Sequence, residues 1–157
     1  MAGKKKSEIQ GWKKLLVIAL ASLTIGSGAV ALKNINYLKG EKIKRVLDGD
    51  TFLLESNQSV RLLGLDAPEL GNCMSQEAQK ALTKLIQGKR VQLREPVADG
   101  YRRIMALEYS DKLLINDVMI RAGMAQYLGE GGSQIPRLQE ANRYARNNHL
   151  GIYSSEC

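Results

Sequence analysis

One histidine, two cysteines and no C-x-x-C pair leave this 157-residue chain without the ligands of a zinc centre, which draws on clustered Cys and His. The single histidine, His149, stands just before a helix-stopping glycine, where an imidazole suits the negative end of a helix; it is assigned no catalytic role. Beyond the N-terminus there is no internal repeat and no low-complexity stretch, which argues against an array or a disordered tail. The apolar content and length are enough for one domain that folds without metal or disulfide staples.

Charge is plentiful but unevenly placed. Of the formal +7, Lys4, Lys5, Lys6, Lys13 and Lys14 against Glu8 contribute +4 before residue 15, which leaves only +3 for the remainder. Bulk charge is therefore a weak argument for a polyanionic partner. The run that follows, Leu15 to Leu32, carries no charge, and lysines before an apolar run are the layout of a secretory signal or a membrane anchor. Ala29-Val30-Ala31 supplies an A-x-A cleavage pattern and favours cleavage after Ala31. Eighteen apolar-leaning residues are at the short limit for spanning a bilayer, so an uncleaved anchor stays open, as does a buried core helix. The expected organisation is a signal or anchor over 1–32, a linker over 33–40 and a folded domain over 41–157, placed outside the cytosol as a secreted, periplasmic or tethered protein. Cys73 and Cys157 fit that compartment as one bridge, or they remain two free thiols.

Within the domain, "KIKRVL", "TFLLE" and "SVRLLGL" predict three antiparallel strands, broken by turns at Asp48-Gly49-Asp50 and Ser56-Asn57-Gln58. Ser75 as N-cap, Ala78, Ala81, Leu82, Leu85 and Ile86 at helical spacing, and Gly88 as stop predict a helix. "RVQLRE" and "RRIMALEYS" predict two more strands around a Pro96–Gly100 loop. Helices follow in "INDVMIRAG" and "SQIPRLQEANRYARNNHLG". Grouped strands with about three packing helices indicate an α+β domain. An OB-like five-stranded β-barrel suits the pattern, as do other small α+β folds.

Asp48, Asp50, Asp66 and Glu69 sit among leucines and valines, where an unpaired carboxylate is costly. Asp48 and Asp50, two apart, would leave one face of extended backbone and share an ion, with Gly49 permitting a bend. Pro68 stiffens "DAPE". Acids gathered at one sheet edge raise each other's pKa unless a cation sits among them, and oxygen-only ligands point to a hard ion, Ca²⁺ before Mg²⁺. Taken singly, each motif also suits an ordinary turn or helix start. Arg61, alone in an apolar strand, needs an anion. It is five residues from Asp66, so a bulge at Gly64 is expected to bring the two to one side.

"DGDT", "VRLLGLDAPE", "DGYRRIMA" and the closing "LGIY" resemble, in order and spacing, the motifs of the thermonuclease (staphylococcal-nuclease-like) family, from about Val46 to Tyr153. The resemblance implies a Ca²⁺-dependent endonuclease that hydrolyses phosphodiester bonds of DNA or RNA by water attack. It implies calcium ligands at Asp48 (the more distant), Asp50, Asp66 and the Ala67 main-chain carbonyl. Glu69 would position or deprotonate the water, Arg61 and Arg103 would grip the phosphate, Tyr101 would lie near a nucleotide phosphate, and Asn116 would brace the fold. Arg102 departs from the family's glycine and either faces solvent or assists phosphate binding. The family's base-stacking tyrosines fall on Gly129 and Gly131. No protein partner is implied and a monomer is expected. The competing readings are a non-catalytic OB-type nucleic-acid-binding module outside the cytosol and an envelope protein that uses calcium for stability alone.

Overall fold

The computed structural model describes residues 40–157, and in it the strand-rich half closes on itself. Strands β1 (Glu41–Val46), β2 (Thr51–Leu54) and β3 (Ser59–Leu62) form the antiparallel meander that their turns predict. A two-residue β4 (Leu65–Asp66) and helix α1 (Ser75–Ile86) lead to β5 (Arg90–Ala98), which pairs with β1 and then with β6 (Ile104–Ser110). Strand β6 runs parallel to β3, Val60 opposite Ile104 and Leu62 opposite Ala106, and this pairing seals a five-stranded mixed barrel. The α+β, OB-like architecture is thus present. Short β7 (Leu113–Leu114), α2 (Ile115–Arg121), β8 (Gln126–Tyr127) and α3 (Ile135–Asn147) complete the domain, with 3-10 turns at Gly132–Gln134 and Gly151–Tyr153.

Strand alternation fills the barrel. Ile43, Phe52, Leu54, Val60, Leu62, Val91, Leu93 and Ala106 are buried, and each large apolar side chain removed from water contributes about 1.5–3 kcal/mol. Helices cover the ends with Ala78, Leu82 and Ile86 from α1 and with Met119 and Ile120 from α2. Asn116 braces the point where β3 leaves β6. Its amide donates to the Leu63 and Ala106 carbonyls at 2.9 and 3.3 Å, and its oxygen accepts the Glu108 N–H at 2.9 Å. The Leu63 carbonyl and the Glu108 N–H are thereby satisfied where the strands diverge, and the Ala106 carbonyl, which already accepts the Leu63 N–H, gains a second donor.

Local differences from the sequence expectations have physical causes. Ser75 is not the N-cap but the first helical residue; Met74 holds the cap position in a left-handed conformation, φ 65°, with no side-chain cap bond. Strand β5 continues through Pro96 to Ala98. Its register slips between Arg94 and Val97 at Glu95, φ 52°, and a proline without an N–H is tolerated at such an irregularity. The last helix starts only at Ile135, the residues before it being a 3-10 turn. The expected single strand "SVRLLGL" breaks at Leu63-Gly64. No bulge sits between Arg61 and Asp66; instead the chain leaves the barrel and enters β4, which pairs with β8. Gly64 has φ 80°, and a Cβ there would collide with the Glu130 carbonyl.

Residues 1–39, including the apolar run and most of the linker read from sequence, lie outside the described residues. Among those described, no helix is long and apolar enough to cross a membrane.

Candidate active site

The turn between β1 and β2 and the exit from β3 meet at one edge of the barrel. Asp50 is 2% exposed, its Oδ2 accepting the Ala67 N–H at 2.9 Å and its Oδ1 the Thr51 hydroxyl at 2.8 Å. Arg61, opposite Thr51 on β3, donates through Nη1 to Asp50 Oδ1 at 2.6 Å and through Nη2 to Asp66 Oδ1. One guanidinium thus joins the two carboxylates. The sheet change at Gly64 is what turns Asp66 toward Arg61.

Asp48 is arranged differently from the sequence expectation. Its Oδ1 turns back to accept the Asp50 and Thr51 N–H groups at 3.0 and 2.7 Å, so that oxygen shapes the turn and only the other remains for a cation. Gly49 serves close approach rather than an unusual φ: an added Cβ would lie 2.6 Å from Ala67 Cβ and 2.7 Å from Ala78 Cβ. The acidic turn can press against "DAPE" and α1 only because that position is bare. Glu69 stands exposed beyond Pro68. It borders a groove of about 380 Å³ lined also by Asp66, Ala67, Asn72, Gln126 and Tyr153. The Cys73–Cys157 disulfide, Cα atoms 5.7 Å apart, walls this groove and ties the C-terminus to the loop after Glu69.

The second arginine comes from the β5–β6 hairpin. Asp99 accepts the Tyr101 and Arg103 N–H groups at 2.8 and 2.9 Å and the Arg103 Nε at 2.7 Å, which leaves both Nη groups of Arg103 without a hydrogen bond among the described residues. Tyr101 is 82% exposed, and the Arg103 guanidinium carbon lies 5.3 Å from its ring centroid. Sequence reasoning assigned no role to Asp99, although it opens the motif that contains both residues; nor did it single out Thr51.

Arg102 occupies the left-handed position of this hairpin, φ 63°, with its side chain in solvent and its carbonyl accepting Gln58 Nε2 at 3.1 Å. The turn survives the exchange of glycine for arginine, and the register stays with Arg103, next to the Ala98–Ile104 pair. The left-handed backbone costs a non-glycine residue roughly 1 kcal/mol. Arg102→Gly is therefore expected to raise stability by about that amount, read as a higher urea midpoint at unchanged slope, while turnover stays within a few-fold. A large fall in turnover would make Arg102 a substrate contact.

Burial pushes the Asp50 carboxyl up to about 6; the Ala67 N–H, the Arg61 charge and the Thr51 hydroxyl pull it back, and Asp48 adds to the rise. Asp50 and Asp66 share one positive partner, and Asp48 lies one turn away. The donors are all oxygen, which suits a hard divalent cation. Among the described residues no three acidic, His or Cys side chains converge as a ready-made metal cluster, so carbonyl and water oxygens must supply the remaining positions.

A carboxylate groove beside Arg61 at one edge of an OB-type barrel, with a second arginine on the β5–β6 hairpin, offers what a hydrolase of phosphodiesters needs. Residues 59–155 match the family model described as "Staphylococcal nuclease homologue". The chain is 32% identical over 146 residues to an "Uncharacterized endonuclease" of Haemophilus influenzae, covering 90% of this chain and 79% of that protein. It is 33% identical over 129 residues to a "Micrococcal nuclease" of Shigella flexneri, covering 74% of each. "Protein ParB" of Escherichia coli is 30% identical over 149 residues, covering 87% and 81%. The chain belongs to the staphylococcal nuclease homologue family.

Proposed function

We propose that this nuclease is a Ca²⁺-dependent endonuclease that cleaves single-stranded or loosened DNA and RNA by water attack, acting as a monomer outside the cytosol. The observation that carries the reading is the shared Arg61: a buried Asp50 and an Asp66 with one guanidinium between them leave negative charge for a cation to balance. Asp50 and Asp66 would hold that cation, with the second oxygen of Asp48 and the Ala67 carbonyl as further donors. When bound, a divalent ion offsets the charge that gathers on the phosphate's non-bridging oxygens.

The chain's own residues do the rest. Arg103, steadied by Asp99, offers free Nη groups to the phosphate, and Arg61 shifts part of its hydrogen bonding from the carboxylates to the same group. Glu69, exposed at the groove, accepts a proton from the attacking water and aligns it with the phosphorus. No covalent enzyme intermediate is needed. The extracytoplasmic placement rests on the lysines and apolar run of residues 1–32 and on the Cys73–Cys157 pairing, which an oxidising compartment maintains.

The test is incubation of the full-length protein with single-stranded DNA in Ca²⁺, in Mg²⁺ and in chelator. Cleavage with Ca²⁺ and none with chelator is expected; binding without cleavage under every condition would instead mark a non-catalytic module. In the same assay Arg61→Lys and Arg103→Lys should each lower turnover about 10²-fold, because a lysine cannot make the paired bonds of a guanidinium. Near-wild-type turnover in both would show that simple positive charge is enough.

A further inference from the structure

The outer face of β5 and β6, with the turn after β6, carries a second groove that shares no lining residue with the first. It measures about 480 Å³ and is walled by Arg90, Gln92, Arg94, Tyr109, Asp111 and Lys112. Alternation explains the clustering: Val91 and Leu93 point into the barrel, so Arg90, Gln92 and Arg94 point out together, and Gln92 lies opposite Tyr109 on β6. Lys42 of β1 stands directly opposite Arg90. Of the two, Lys42 is offset by Glu55, so Arg90 is the cation of the pair left to the groove.

Neighbouring carboxylates do not cancel that charge. Asp111 pairs with Lys89 at 3.6 Å and Glu55 with Lys42 at 3.4 Å, both on the exposed surface. Arg90, Arg94 and Lys112 have no carboxylate within ion-pair distance among the described residues, and Arg90 donates only to the Gly40 carbonyl, at 3.2 Å. Arg94 is held over the Tyr109 ring, its guanidinium carbon 4.4 Å from the centroid. A guanidinium seated on a tyrosine is ordered before any ligand arrives and keeps its other face and its N–H edges available. Along β6, Tyr109 is four residues from Met105, the neighbour of Arg61, so this groove lies roughly 13 Å from the catalytic arginine's strand position.

We propose that this groove is an exosite for single-stranded nucleic acid, in which Arg90, Arg94 and Lys112 take backbone phosphates and the Arg94–Tyr109 stack supports a base. The inference builds on the nuclease reading by giving a long substrate a second hold away from the scissile bond. Single strands occupy about 4–16 nucleotides per OB fold, a span long enough to reach both grooves. A nucleic acid suits the groove better than an acidic membrane, because its lining offers no aliphatic or indole side chain for insertion into lipid.

The experiment separates binding from cleavage. Full-length Glu69→Gln protein in chelator is titrated with a fluorescein-labelled single-stranded 20-mer at several salt concentrations, beside the same protein carrying Arg90→Gln and Arg94→Gln. The double change should weaken binding at least tenfold and flatten the slope of log K against log salt by about 1.4, two phosphate contacts at about 0.7 each. Lys112→Gln, on an exposed turn, should weaken binding several-fold and guards against a folding defect in the double variant. With Glu69 restored and Ca²⁺ present, the double variant should raise KM for the polymer and leave turnover of a dinucleotide unchanged. Unchanged affinity and salt slope would overturn the exosite whatever the cleavage assay shows. So would loss of binding to phosphatidylglycerol vesicles with oligonucleotide binding intact, which would reassign the patch to a membrane surface. Absence of cleavage by the wild type would count against the nuclease mechanism and leave the anisotropy measurement still decisive for the groove.

Discussion

Glu69→Gln lowers turnover of single-stranded DNA by about 10²–10⁴-fold, the range expected when a positioned general base is removed. The substitution preserves shape and deletes only the capacity to take a proton. Glu69 is exposed beside the groove and makes no side-chain hydrogen bond among the described residues, so its loss should leave stability within about 0.5 kcal/mol. Substrate binding should also persist, since Arg61 comes from β3 and Arg103 from the β5–β6 hairpin, away from the Glu69 loop. The check is a single-turnover rate for cleavage beside a thermal melt and a binding titration. A drop in rate with melt and affinity unchanged assigns Glu69 to the chemical step. A rate within threefold of wild type would move the base to bulk solvent or to another group.

The second large effect is on stability. Glu108 is 0% exposed, on the barrel face of β6, and among the described residues neither carboxyl oxygen has a hydrogen-bond partner. Burial pushes its carboxyl from 4.5 up to about 8. The folded protein therefore keeps a proton that the unfolded chain releases above pH 4.5. That contribution to stability is full below about pH 4.5 and is lost as pH rises through about 8. Glu108→Leu removes the carboxyl from an apolar site at similar volume. It should stabilise the fold at pH 8 by about 2–4 kcal/mol and remove the decline between about pH 6.5 and 8, leaving below that only the fall that Asp50, raised to about 6, contributes. Urea unfolding at pH 5, 6.5 and 8 reads both effects. A wild-type stability that does not fall over this range, or a leucine variant that is less stable at pH 8, would contradict the assignment of Glu108 as a buried, unpartnered acid.

Much of this was legible in the order of residues, and the exceptions have a common cause. The apolar run "TFLLE" between turns, the pattern of "RRIMALEYS" and the helical spacing after Ser75 predict elements that the fold contains, because local sequence fixes where those strands and that helix begin and end. Closure of the barrel through the parallel β3–β6 pair joins segments more than forty residues apart, a relation no local pattern encodes. At the site, the acids and arginines announce themselves as charges in apolar runs. The directions of their side chains do not: Asp48 turns back to its own loop, while Asp50 taking the Ala67 N–H and Arg61 reaching Asp66 depend on the chain leaving the barrel at Gly64. Glu108 had a readable signal, since Ala106, Glu108 and Ser110 share the parity of an inward-facing row. An acid within that row is an anomaly that strand alternation alone would have marked.

Glu108 also sets a contrast with Asp50, which is proposed to hold the cation. Asp50 is nearly as buried, yet it has a backbone N–H, a hydroxyl and a guanidinium around it, whereas Glu108 has none of these. The first arrangement pulls the carboxyl back against burial toward the charged form that a cation would complete. The second favours a neutral acid and gives the mechanism nothing to use.

The measurement that bears most directly on the site is the Ca²⁺ concentration giving half-maximal cleavage, in full-length wild type and in Asp66→Asn. If Asp50 and Asp66 hold the ion beside Arg61, the wild type saturates with Ca²⁺ and the variant needs at least tenfold more, with residual activity abolished by chelator in both. Cleavage that proceeds undiminished in chelator, or the same midpoint in both proteins, would contradict it.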